Sequence, residues 1–242
     1  AARVECLETM LDGILEERPD RQVVRGGAPG DVVRGGEEIR HQPGGDVRNA
    51  PKGKLPFIVD DGTVVADSTF IRWHLEDTYS VDFDKGLTPE QKGVAWAAEK
   101  MCEDHLYWAV VDSRWMVDAN FDKGPRRFFD KAPTLIRPLI IAMVRRQVGK
   151  NLKAHGIGRH ARADIERLAA KDLESIAGIL GDKPFLMGSE PCGADASVFA
   201  AVMSALSPHF EGPITQAARK HPNLVAYRDR CLALWYPDLA AA

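Results

Sequence analysis

The sequence predicts a small α/β unit followed by a larger all-helical one. Three observations carry that prediction: an Asp-Asp-Gly turn between two apolar runs at 55–66, a helix-capping box at 88–91, and helical apolar spacing from there to residue 235. The 242 residues suffice for one large domain or two of moderate size.

Each element follows from its residues. Residues 1–17 form an amphipathic helical pattern, with Val4, Leu7, Leu11, Ile14 and Leu15 recurring at three- and four-residue steps. Residues 18–50 change character, carrying seven glycines and six arginines, with the two Val-Val pairs as the only strand signal, near Gln22–Arg25 or Asp31–Arg34. A local frame slip in a GC-rich coding region also yields Arg, Gly and Pro in this abundance. Leu55-Pro56-Phe57-Ile58-Val59 then reads as a buried strand and Val64-Val65-Ala66 as its hairpin partner, because Gly62 supplies φ > 0 in the intervening turn. Asp67 and Ser68 cap a helix over 69–76. A proline at the start of a strand has no N–H to give, so Pro56 needs its own explanation.

After a linker at 78–87, Thr88-Pro89-Glu90-Gln91 combines an N-cap Thr, a first-turn Pro and a Gln three residues on. The helix that follows keeps a stripe of Val94, Ala98, Met101, His105, Trp108, Val111 and Trp115. Further helices are expected over 133–150, 161–180, 194–206 and 222–235, separated by Gly and Pro punctuation. The expected domains are therefore 1–77, α/β, and 88–242, all-helical.

Composition narrows the classes of function. Hydrophobic residues make up 45% of the chain and charged residues 28%, ordinary for a globular protein. A net charge of -3 gives no overall basic field, so nucleic acid is not an expected partner. Cys6, Cys102, Cys192 and Cys231 form no Cys-x-x-Cys pair and fit no zinc spacing; reduced thiols and no metal site are expected. The start AARVECLETML shows no basic-then-apolar leader. The longest apolar stretch, 135–144, is broken by Arg137 and Pro138 and falls short of the roughly 20 residues that span a bilayer. The expectation is a cytoplasmic protein without an integral membrane segment. Residues 145–162 hold six Lys or Arg and two His; a solvated helix and loop is the simpler reading, an anionic partner or membrane surface the sharper one.

GKLP at 53–56, ADS at 66–68 and an all-helical second unit from residue 88 together resemble the glutathione S-transferase superfamily. A lone Leu-Pro is a turn and a lone Asp-Ser a cap, but the two at an 11-residue interval across one hairpin are more specific. APKGKLPFI, HLYWAVVDSRW (105–115) and HGIGRH (155–160) are similar to its metaxin-like branch, which includes the failed-axon-connections proteins and bacterial relatives. The resemblance implies a thioredoxin-like first domain, degraded or truncated at its start, and an all-α second domain, paired as a homodimer. It implies a cis Pro56, with Leu55 pairing the cysteinyl backbone of glutathione, Asp67 and Ser68 holding the γ-glutamyl end, and Lys54 meeting the glycyl carboxylate. Glutathione would be a co-substrate for conjugating or reducing a small hydrophobic electrophile. Tyr107, Trp108 and Arg114 are the candidate electrophile pocket, although Trp108 and Trp115 also fit a core stripe.

Pro191-Cys192-Gly193-Ala194-Asp195 corresponds to a family helix cap that usually carries Ser or Thr where Cys192 stands; Cys192 and Asp195 are expected to be structural. The group that activates the thiol in this family lies at the end of the first strand. On the resemblance it falls upstream of Ala1 or in the altered N-terminal segment, so no catalytic residue is assigned, and Cys6 near it reads as an ordinary helix residue. Two functions stay open: a glutathione transferase, or a non-catalytic binding or scaffolding protein that keeps the fold.

Overall fold

A computed structural model gives the architecture. It describes residues 50–53 and 55–237, and the backbone of 40–41. The expected helix over 1–17, the expected strands at 22–25 and 31–34, Cys6 and Lys54 lie outside the described residues. The chain divides into two compact units, Ala1–Lys85 and Gly86–Ala242.

The first unit holds an antiparallel sheet of β1 (Arg40–His41), β2 (Phe57–Asp60) and β3 (Thr63–Ala66), in that order. Arg40 lies opposite Val59, and Phe57 lies opposite Ala66. β1 has no apolar alternation to announce it. The hairpin turn puts both Asp61 (φ 44) and Gly62 (φ 77) at positive φ, the twist that two-residue hairpin loops prefer. α1 (Ser68–Tyr79) returns across the sheet and buries Ile71, Leu75 and Tyr79, one helical face at four-residue steps. It runs a turn beyond the expected span. Arg72, itself buried, reaches Glu76 at 3.1 Å and Asp84 at 2.6 Å, tying the last turn to the segment after it.

The second unit opens with α2 (Pro89–Met101), whose capping box is formed as the sequence implied: Gln91 N–H donates to Thr88 Oγ1 and Thr88 N–H to Gln91 Oε1. A π-helical turn, Cys102–Leu106, joins it to α3 (Tyr107–Met116). The buried face differs from the expected stripe. It runs through Ala95, Ala98, Cys102, Leu106, Ala109 and Val110; Val94 is exposed, and Trp108 and Trp115 lie half-buried at the margin. Small Ala and Cys side chains admit neighbouring helices closely, and the wider π turn advances the phase between the two halves.

Next come α4 (Asp118–Lys123), a 3₁₀ turn at Pro125–Phe129, and α5 (Arg137–His155). α6 (Arg162–Leu180), α7 (Gly193–Ala205), α8 (Pro213–Arg219) and α9 (Pro222–Trp235) follow. The short α4 and α8 were not expected, since neither completes an apolar repeat. α7 is the centre of this unit: Ala194, Ala196, Val198, Phe199 and Val202 are all inaccessible, as befits a helix apolar on every side.

Candidate functional site

The hairpin and α1 bring Leu55, Pro56, Asp67 and Ser68, four of the five residues expected to bind glutathione, to one end of the first unit. The Leu55–Pro56 peptide is cis. The Pro56 carbonyl then accepts a hydrogen bond from Asp67 N–H at 3.0 Å, joining the start of β2 to the N-terminus of α1. Asp67 sits at φ 88 and ψ 131, outside the left-handed helical well and strained for a residue other than glycine, and its Oδ1 caps the helix by accepting from Thr69 N–H at 3.0 Å. Ser68, the first helical residue, is half-buried, and its hydroxyl bonds to no other described residue. Leu55 is 42% exposed, and among the described residues its backbone N–H and C=O have no partner.

Helix N-terminal amides carry partial positive charge and attract anions. The Asp67 carboxylate beside them carries the opposite sign. The pair therefore suits a group with a carboxylate and an ammonium on one carbon. The exposed backbone at Leu55 suits an extended peptide.

A polar cluster ties the helix to the sheet at the other end of the hairpin, beside the turn. Asp60, at the end of β2, accepts from Tyr79 OH at 2.7 Å and lies 2.5 Å from His74 Nε2, so both side chains of α1 hold the strand. Sequence reasoning placed Asp60 in a solvent turn and missed the cluster.

The three candidate pocket residues of the second unit do not share one environment. Tyr107 is 56% exposed and meets Trp108 edge-on, ring centres 5.6 Å apart. Trp108 turns to stack on His155 at 4.6 Å. Arg114 donates to the Ser204 carbonyl at 2.9 Å and covers the Phe210 ring at 4.5 Å. Burial pushes its pKa down, against the influence of Tyr107 two turns back on the same helical face. A separate groove of about 830 Å³, lined by His160, Arg167, Lys171 and Lys220 among others, contains none of these residues.

At the start of α7, Asp195 accepts from Cys192 N–H at 2.8 Å, closing the carboxylate half of a capping box. It also accepts from Leu186 N–H at 2.9 Å and from Tyr227 OH at 2.7 Å. Burial raises its pKa while these donors pull it back down. Cys192 is buried, and burial raises the Cys102 and Cys231 thiols to about 12. Among the described residues no cluster of three or more His, Cys, Asp or Glu could hold a metal ion, and no helix is long and apolar enough to cross a membrane.

Comparison with known proteins bears on this geometry. The glutathione S-transferase N-terminal domain profile matches residues 38–120, and the C-terminal domain profile matches residues 169–231. Failed axon connections of Drosophila melanogaster is 35% identical over 199 residues, covering 77% of this chain and 48% of that protein. The chain thus spans about half that relative's length. An isoprene-epoxide–glutathione S-transferase of Rhodococcus sp. (strain AD45) is 27% identical over 186 residues, covering 76% of this chain and 78% of that protein. Among solved structures, the beta-etherase LigF from Sphingobium sp. strain SYK-6 superposes with a TM-score of 0.58 at 18% identity, over 81% of this chain and 82% of that one. A glutathione S-transferase from Rhodospirillum rubrum F11 gives 0.51 at 14% identity, over 98% and 87%. Together they show the fold class expected from the sequence, a thioredoxin-like first domain with a helical second one.

Proposed function

The chain belongs to the glutathione S-transferase superfamily, and we propose that it binds glutathione on its first unit and conjugates or reduces a small hydrophobic electrophile with it. The observation that carries this reading is the 3.0 Å hydrogen bond from Asp67 N–H to the Pro56 carbonyl, which sets an open backbone edge beside a helix N-terminus. Leu55 pairs the cysteinyl backbone, as a strand edge pairs a peptide. Ser68, through its hydroxyl and N–H, receives the γ-glutamyl carboxylate, and the Asp67 carboxylate receives the ammonium on the same carbon. Lys54 takes the glycyl carboxylate. The thiol gives up its proton to water, and the thiolate attacks an electrophilic carbon to form a thioether; the displaced group leaves with the electron pair, or a ring oxygen takes it and is then protonated by water. Tyr107 is the pocket residue most available to the electrophile, since Trp108 and Arg114 already have partners in their own unit. The protein acts as a cytoplasmic homodimer on this reading.

Titration calorimetry of the whole chain with reduced glutathione tests it. The Ser68→Ala variant loses a hydrogen bond to a charged group, so its affinity falls about ten-fold or more. Its thermal stability stays unchanged, because Asp67, not Ser68, caps the helix. A folded chain that takes up no heat with millimolar glutathione rejects the proposal. A second reading is a binding or scaffolding protein that keeps the cradle without turnover. Glutathione binding without conjugation of a model epoxide would assign it.

A further inference from the structure

We propose that the outward face of α5 is a docking surface for anionic membrane lipid. α5 is 19 residues long yet buries only Leu152. Along its exposed side, at steps of three and four, come Ile136, Leu139 and Met143, then Arg146, Lys150 and Lys153. Leu139 is 72% exposed and Met143 64%; Leu135, just before the helix, is 97% exposed, and Phe128 in the preceding 3₁₀ turn is 77% exposed. Single exposed apolar residues are ordinary, but this many within 16 residues marks an interaction surface.

Charge decides the occupant. Residues 118–153 hold nine Lys or Arg against three Asp, a net +6 in a chain whose total is -3. Two of those carboxylates are already paired, Asp118 with Arg145 and Asp122 with Arg126. Among the described residues no ion pair engages Arg127, Lys131, Arg146, Lys150 or Lys153. A second copy of this chain would set one cationic face against another. Nucleic acid would satisfy the cations and leave Leu139 and Met143 against phosphate. An anionic bilayer matches both halves: the apolar end enters the acyl boundary while the lysines and arginines stay with the headgroups.

Co-sedimentation of the full chain with phosphatidylcholine vesicles containing about a third phosphatidylserine tests this, pure phosphatidylcholine being the control. Binding is expected on the anionic vesicles alone, weakening as salt shortens the screening length from about 10 Å at 0.1 M to 3 Å at 1 M. Each cation removed weakens partitioning about five-fold, so Arg146→Gln with Lys150→Gln together cost roughly 25-fold. Leu139→Ser with Met143→Ser reduces binding at least ten-fold. All four positions are exposed, so the variants keep the parent's circular dichroism spectrum. No binding, or equal binding to both vesicles, overturns the proposal. So does a concentration-dependent dimer that Leu139→Ser with Met143→Ser abolishes, since a second copy would then own the face.

Discussion

Replacing Asp195 by alanine should be the most damaging single change in the second unit. Its carboxylate is fully inaccessible and accepts from Cys192 N–H at 2.8 Å, Leu186 N–H at 2.9 Å and Tyr227 OH at 2.7 Å. Alanine leaves two buried N–H donors without an acceptor, each costing about 1–3 kcal/mol, leaves Tyr227 OH only its longer bond to the residue-195 carbonyl at 3.3 Å, and removes the carboxylate half of the α7 cap. The donors relax together, so these costs do not add fully, and a total of about 4 kcal/mol is expected. For a chain of this size that lowers the melting temperature by roughly 8–16 °C. Tyr227→Phe removes only one donor and should cost about 1 kcal/mol, and less still in the Asp195→Ala background, where the tyrosine has already lost its shorter bond. The pH dependence has a definite sign. Burial raises the Asp195 pKa in the folded chain above its unfolded value. The proton-linked part of its stabilisation is therefore full below about pH 3.9 and is lost as pH rises through the folded value. The stability gap between the parent and Asp195→Ala should narrow from pH 4 to pH 7. Thermal melts by circular dichroism read all of this. A loss under 1 kcal/mol, or a gap that widens with pH, would refute the reasoning.

Asp67→Asn separates capping from charge: asparagine caps and tolerates positive φ equally well, so the melting temperature should hold while glutathione affinity falls about five-fold, by calorimetry. Cys192→Ser supplies a better acceptor at the start of α7 and should gain about 0.5–1 kcal/mol in a thermal melt; a loss would show that sulfur packing outweighs the cap. Cys102 and Cys231, with thiols raised to about 12, should resist iodoacetamide at pH 7.5 in the native chain and react fully in denaturant; native labelling mapped to either by mass spectrometry would contradict their burial.

What the residues made legible was local chemistry. The Thr88 capping box, the Asp61-Gly62 turn and the Asp67 cap each rest on bonds within four residues, and all three stand where the sequence put them. The long helices were legible for the same reason, since period and punctuation are local. Burial was not. Trp108 and Trp115 lie at the margin of a face built from alanines, because the packing partner, not size, decides which side turns inward. Nor does any sequence spacing announce that Asp60 will meet His74 and Tyr79 across 14 and 19 residues. Arg114 shows the same limit: its spacing off the stripe suggested a pocket, while its guanidinium is spent on Ser204 and Phe210, about 90 residues on.

Holding glutathione and activating it are physically separable tasks in this fold. The proposed cradle depends on one backbone hydrogen bond, one helix terminus and two short polar side chains, and the bond and the terminus are secured inside the first unit. Asp67 N–H is fixed by Pro56, and α1 is fixed by Ile71, Leu75 and the Asp60–His74–Tyr79 cluster. None of these supports uses a group that would polarise the thiol. A chain can therefore lose the activating donor and keep a stable cradle, so the transferase and scaffolding readings differ in a single quantity, the pKa of the bound thiol. A donor to the sulfur stabilises the thiolate and lowers that pKa from its free value of roughly 8.5. Thiolate absorbance of the complex, followed against pH, reads the quantity directly. An inflection more than a unit below the free value assigns turnover, and one at the free value assigns holding alone.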